Sequence, residues 1–411
     1  MDCLRDGCTK QRRKAMEMGR FDEVINRKGT DSLKYDFAKE YGVPEDAIPL
    51  WVADMDFRAP QAVIDAVRER AAHGIFGYTE VKDEYFQAVA GWYAAHFDFH
   101  AEKEWLVKTP GVVFAISHAL RAFTKEGDAV LIQQPVYYPF ASTVLDNHRV
   151  LVNNELRYVN GAYEIDFEDF EKKITEQKVK LFILCSPHNP VGRVWTREEL
   201  KRLGDICTAH DVIVISDEIH CDFTYEGYPH TVYANLGSPY AEQCVICTAP
   251  SKTFNLAGLQ ISNIFIPNEK LRNAFRQQIR ITGYEEMNTL GLTACAAAYR
   301  YGGEWLEELK QYLKKNLEYV RKFLNEELPQ IRLVEPEGTY VIWLDCAGLG
   351  LSGEDLDLFM KEKAKLWLDG GMMFGERSGQ FVRINMTCPA SVLKKALEQL
   401  KAALEKGGLM G

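Results

Sequence analysis

The sequence predicts an α/β protein: a mostly parallel sheet flanked by helices, followed by a smaller α+β domain. Apolar runs of strand length recur at "DAVLIQQPVYYP", "VKLFILCSPHNP", "DVIVISDEIH" and "QCVICTAPSK". Between the second and third lies "TREELKRLGDICTAH", apolar at helical spacing, with Thr196 placed to cap it and Glu199 three residues on. Strand, helix, strand in succession requires a crossover and therefore parallel strands. From about residue 296 the pattern changes to a long amphipathic stretch, "GGEWLEELKQYLKKNLEYVRKFLNEEL", then "GTYVIWLD", a charged helix, "GQFVRINM" and a final helix.

These patterns divide the chain into a tail (1–20), a segment expected to pack with the small domain (21–57), a large domain (58–295) and a small domain (296–411). The tail holds a basic knot, Lys10, Arg12, Arg13 and Lys14, readable as a nucleic-acid tag or, more blandly, as a solvated end. The 411 residues carry a formal net charge of -10, which argues against binding a phosphate backbone and favours small-molecule chemistry. No apolar run approaches the ~18 residues of a membrane span. Ten scattered cysteines and no secretory leader pattern point to a reducing cytoplasm. Cys244 and Cys247 form a CxxC inside what reads as a buried strand, with no second pair to complete a zinc site, so no metal is expected.

Ligands on such sheets bind beyond the carboxyl ends of the strands. Tyr137, Asn189, Asp217 and Lys252 each fall at or just after the end of a predicted strand, in four different runs. Lys252, in "APSKTFNLAG", has no charged neighbour for several residues on either side. A lysine buried there would lose pKa to desolvation and become an amine able to form an imine with an aldehyde. Pyridoxal 5'-phosphate is the aldehyde whose sites pair a Schiff-base lysine with an acid at the pyridine nitrogen. In isolation each residue has a plainer reading: a structural lysine, a helix-capping Asp217, a core tyrosine at Tyr137 or Tyr138, and a solvated strand arginine at Arg383.

The ordered set "SPHNPVG", "SDEIHCDF", "APSKTFNLAG" and "FVRINMTCP" resembles the fold-type I pyridoxal-phosphate enzymes of the class I/II aminotransferase superfamily. "WVADMDF", "HGIFGY" and "SDEIH" resemble, within it, the branch of MalY/PatB-type cystathionine β-lyases and cysteine C-S lyases such as cystalysin. The similarity runs from about residue 21 to 405. It implies a large domain built on a seven-stranded sheet and a homodimer acting on a sulfur amino acid.

By this resemblance, Lys252 carries the cofactor and moves the Cα proton, and Asp217 faces the pyridine nitrogen. Asn189 donates to the phenolate oxygen. Tyr137 or Tyr138 stacks on the ring, the other being free to reach the leaving group. The backbone of Gly111 and Val112, at a helix start, holds phosphate, joined by Ser251 and, across the dimer interface, by Tyr78. Arg383 clamps the substrate carboxylate, with a backbone donor near Ala53. Two positions depart from the common aminotransferase pattern. Gln260 stands where a phosphate-binding arginine is usual, leaving Ser251 or Thr248 to supply more of that grip, and His220 stands where a tyrosine is usual, beside the cofactor.

The reaction expected is α,β-elimination from cystathionine, cysteine or S-substituted cysteines, giving pyruvate, ammonia and a thiol. A thiol of pKa ~8.5 departs as thiolate without strong acid assistance. The alternatives are amino-acid transamination and a regulatory or binding protein that retains the fold.

Overall fold

The computed structural model describes residues 19–409; the basic knot of the tail lies outside them. Seven strands form the large sheet: β1 (Leu106–Thr109), β2 (Ala129–Ile132), β3 (Val150–Asn153), β4 (Leu181–Cys185), β5 (Ile213–Asp217), β6 (Cys244–Thr248) and β7 (Ser262–Phe265). Their spatial order is β1-β7-β6-β5-β4-β2-β3. All neighbours are parallel except β7, which runs antiparallel to both β6 and β1. Every residue of β4 and β6 is buried, as a strand covered by helices on both faces requires. The two cysteines of the CxxC lie in β6, buried and unpaired.

Local sequence explains the crossover helix Arg197–Ala209. Thr196 accepts from the Glu199 N–H at 3.1 Å, and the Glu199 carboxylate accepts from the Thr196 N–H at 2.8 Å, a reciprocal capping box. The helix returns the chain so that β4 and β5 pair in register, with Cys185 beside Asp217, and β5 pairs with β6, with Asp217 beside Cys247. Asp217 is thereby carried at the carboxyl edge of the sheet's centre.

The small domain starts with helix Gly303–Glu327. It continues through β8 (Arg332–Val334), β9 (Val341–Asp345), β10 (Asp369–Gly370) and β11 (Phe381–Asn385), an antiparallel sheet of order β8-β9-β11-β10, and ends in helix Ala390–Gly407. The boundary drawn at 295/296 falls inside helix Thr289–Tyr301, which packs on the large-domain helices Gln61–Ala72 and Asp83–Phe97. Residues 48–49 pair in parallel with Leu366–Trp367, and Trp51 stacks on Trp367 with centroids 4.4 Å apart. The same segment also reaches the large domain, where Asn255 bonds the backbone of Met55 and Phe57.

The domains are joined close to the sheet edge. Thr339 N–H donates to Phe223 O at 2.7 Å and Tyr225 N–H to Glu337 O at 2.9 Å, with Gly338 between them. A methyl group on Gly338 would sit 2.7 Å from Val194 Cγ2 and 2.9 Å from Phe223 O. Gly338→Ala is therefore expected to force this seam apart, costing about 1–3 kcal/mol as overpacking does. A lower midpoint of thermal unfolding together with reduced turnover checks it; unchanged values of both would show that the seam can yield.

Candidate active site

β6 ends at Thr248, and the chain turns through Ala249 into the single helical turn Pro250–Thr253, which carries Lys252. The amine donates to Ala53 O at 2.7 Å. The residue retains some accessible surface, yet enclosure of its amine, with Arg383 nearby, brings the pKa down to about 8 against the pull of Asp54 and Asp217. Asp217 is 5% exposed and accepts from the Ile219 N–H at 3.2 Å. Burial pushes it up to about 7, opposed by that hydrogen bond and by Lys252.

Four elements bring the remaining groups to this point. Asn189, buried in the turn after β4, accepts from Arg383 Nη1 at 3.0 Å through its Oδ1, so its NH2 is the end left to serve a ligand. Tyr137 is tied by its N–H to Asn189 O at 3.0 Å and feels the charges of Asp217 and Arg383. Tyr138, 39% exposed, feels Asp369 and Arg383 instead. The two tyrosines, ambiguous in sequence, thus face different parts of the site. His220 is buried with its ring edge-on to Tyr340 at 5.4 Å, and its Nδ1 has no partner. Burial, with Lys252 and Arg383 adding to it, holds the imidazole well below its usual pKa, hence neutral.

Arg383 on β11 is buried, its Nη2 bonded to Trp51 O at 2.9 Å and to Asp369, its face 4.9 Å from the Phe374 ring centroid and its Nε without a partner. Gly111 caps helix Val112–Phe123, and a methyl group there would meet nothing within 4 Å. Thr248 is withdrawn from any phosphate grip because its hydroxyl donates to Asn263 O at 2.7 Å inside the sheet. Ser251 is partly accessible on the same turn as Lys252. Gln260 is exposed. Tyr78 stands 95% exposed, with Ile75 and Phe76 also exposed beside it. At Ala53, the group engaged is the carbonyl, which accepts from both Lys252 and Tyr340 (3.0 Å).

A cluster that sequence reasoning missed holds the segment 51–56, a strap over the site. Arg27 bonds Asp54 at 2.5 Å and Asp56 at 2.8 Å, and the fully buried Lys34 bonds Asp56 at 2.9 Å with Asp54 at 3.6 Å. Tyr35 OH donates to Asp56 at 3.0 Å. Asn385, two residues after Arg383, donates to the carbonyls of Val52 and Asp54, both at 2.6 Å. The only signal was two acids spaced by one residue in "WVADMDF"; their cationic partners lie 20 to 30 positions earlier in a segment without pattern.

The buried amine, a buried acid near it, a free amide NH2 and two buried nitrogens without partners, His220 Nδ1 and Arg383 Nε, fit pyridoxal 5'-phosphate with an amino acid. No group of acids, histidines and cysteines suited to a metal occurs among the described residues. A cavity of about 840 Å³ lies apart from these groups, between Tyr225, Leu317 and Pro336.

Residues 45–400 match the model of the family "Aminotransferase class I and II". The chain is 45% identical to cystathionine β-lyase PatB of Bacillus subtilis over 384 residues, 93% of this chain and 99% of that one. It resembles cystalysin of Treponema denticola, a structure containing pyridoxal 5'-phosphate, at TM-score 0.91 and 37% identity, covering 95% and 99% of the two chains. It also resembles the PLP-bound C-S lyase of Staphylococcus hominis at TM-score 0.88 and 36% identity, covering 94% and 98%.

Asp56→Ala is expected to leave the Lys34 ammonium buried with only the longer Asp54 contact, costing about 3–5 kcal/mol. Urea unfolding measures the loss, and a cost under about 1 kcal/mol would show the cluster to be replaceable. In protein stripped of cofactor, pyridoxal phosphate capture should accelerate with pH and level off above about 8, because only the deprotonated amine attacks. Stopped-flow absorbance follows it, and a rate still climbing towards the ordinary lysine value of 10.5 would contradict the shift.

Proposed function

Because this chain belongs to the aminotransferase class I and II family, we infer that it is a pyridoxal 5'-phosphate-dependent carbon–sulfur β-lyase. Full-length similarity to PatB and to cystalysin supports the elimination of sulfur over transamination. The single observation that carries the site is the Lys252 amine just past the end of β6, donating to Ala53 O at 2.7 Å and lowered to about 8 by burial. When bound, pyridoxal 5'-phosphate supplies an aldehyde for that amine and a cationic ring that accepts the electrons left at Cα.

The residues divide the remaining work. Arg383 grips the α-carboxylate of the incoming amino acid, placing Cα near Lys252. Asp217 holds a proton at the pyridine nitrogen; its own pKa near about 7 is that of the site without the ring, and the cation's charge would favour its anion. The Asn189 NH2 would serve the ring hydroxyl oxygen, Tyr137 would hold the ring, and neutral His220, with its unpartnered Nδ1, would stand beside it. Gly111, Val112 and Ser251 serve the phosphate. With the cofactor and an amino acid in place, the Lys252 amine, free to lose its proton near neutral pH, would be the base that takes the Cα proton. The bond from Cβ to sulfur then breaks, and sulfur leaves as a thiolate past the partly exposed Tyr138.

The reading extends to a second copy of the chain. Tyr78 is almost wholly exposed and flanked by exposed Ile75 and Phe76, which supports its service to the phosphate of a partner subunit's site. The buried, unpaired state of the eight described cysteines supports a reducing compartment, the cytoplasm. No helix among the described residues is long and apolar enough to cross a membrane.

Purified protein given cystathionine and no keto acid is expected to release pyruvate and a thiol together, and Lys252→Ala should lose both that activity and the bound cofactor's visible absorbance. Turnover that needs a keto-acid acceptor would identify a transaminase. An unchanged chromophore in the variant would remove Lys252 from the role.

A further inference from the structure

Arg383 and Asp369 are direct cross-strand partners on β11 and β10, and both side chains are buried, at 4% exposure each. Asp369 is the carboxylate that pairs with Arg383, accepting from Nη2. The same Nη2 also donates to Trp51 O, Nη1 donates to Asn189, and Phe374 lies against the flat face. The guanidinium is thus held from four places, and Nε alone among its nitrogens is left without a partner. Trp51 O and Asn189 Oδ1 are neutral acceptors, so Asp369 is the group that both balances the charge and fixes the plane. On its other side Asp369 lines a pocket of about 300 Å³ with Asp357 and Lys361, which bond each other at 2.6 Å and are therefore committed elsewhere.

A carboxylate beside a carboxylate-binding arginine has two opposed consequences. It repels the substrate's own carboxylate, and it prevents the arginine from turning to other acceptors before substrate arrives. Burial decides between them. An arginine at 3% exposure cannot wait in solvent, and without Asp369 its hydrogen-bond partners would be only the neutral Asn189 Oδ1 and Trp51 carbonyl, with no anion to balance the charge or fix the plane. We propose that Asp369 is a positioning residue for substrate recognition, holding the Arg383 guanidinium in the plane and place from which it receives the α-carboxylate. This rests on the reading of Arg383 as the carboxylate clamp.

The test uses the holoenzyme with Asp369→Ala, Asp369→Asn and Arg383→Ala. It compares KM and kcat for pyruvate release from cystathionine with the dissociation constants of L-alanine and of ethylamine, which lacks the carboxylate, followed by absorbance titration. Asp369→Ala should raise KM and the alanine constant about tenfold or more, the scale of one charge-assisted hydrogen bond. It should leave kcat within about threefold and the ethylamine constant within about twofold. Asp369→Asn, which keeps an acceptor oxygen of the same shape, should fall between wild type and alanine, and it carries the comparison should the alanine variant fail to fold. Unchanged or tighter alanine binding in the Asp369 variants, alongside weakened binding in Arg383→Ala, overturns the proposal and makes Asp369 a bystander or a competitor. Equal weakening for alanine and ethylamine overturns it in favour of a general structural role. Unaltered alanine binding in Arg383→Ala instead removes the clamp itself, and the two failures are thereby separate.

Discussion

Two cations, Lys252 and Arg383, are enclosed in one site, and each must be kept where water cannot stabilise it. The protein meets this in different ways. Arg383 is held by Asp369 and three further contacts. Lys252 receives a carbonyl oxygen and only distant acids, so its charged form is disfavoured and its amine is made reactive. The presence of Arg383 is itself part of what lowers Lys252. Two cations 131 positions apart in the chain are therefore coupled electrostatically.

The strap at 51–56 is the mechanical counterpart of that coupling. Its carbonyls touch Lys252, Tyr340, Arg383 and Asn385, so its position sets both cations at once. Such a strap has little core of its own, and its two acids are bound instead to Arg27 and Lys34. A buried ion cluster is a weak source of net stability but is costly to break at one member, which suits a segment that needs one register against both domains.

Motif reading found the residues that act through local position. Thr196 and Glu199 declare a helix start by spacing alone, and Asp217 ends a strand while Lys252, Asn189 and Tyr137 lie a few residues past strands whose apolar runs are unmistakable. Where a position could serve two ends, local pattern did not choose. Thr248 and Ser251 looked equal as phosphate donors until the antiparallel β7 placed Asn263 O against the Thr248 hydroxyl. Tyr137 and Tyr138 separate only because one faces Asp217 and the other Asp369.

The sequence by itself determined the α/β class, the parallel core, the order of the chemical motifs and the cofactor they suit, because periodicity and strand-end placement are local properties. The tertiary structure alone decided the antiparallel β7, the salt-bridged strap, the carbonyl role of Ala53 and the pairing of Asp369 with Arg383. Each of these depends on which distant segment becomes a neighbour, and burial then changes a group's hydrogen bonding and charge by amounts that its own sequence surroundings do not contain.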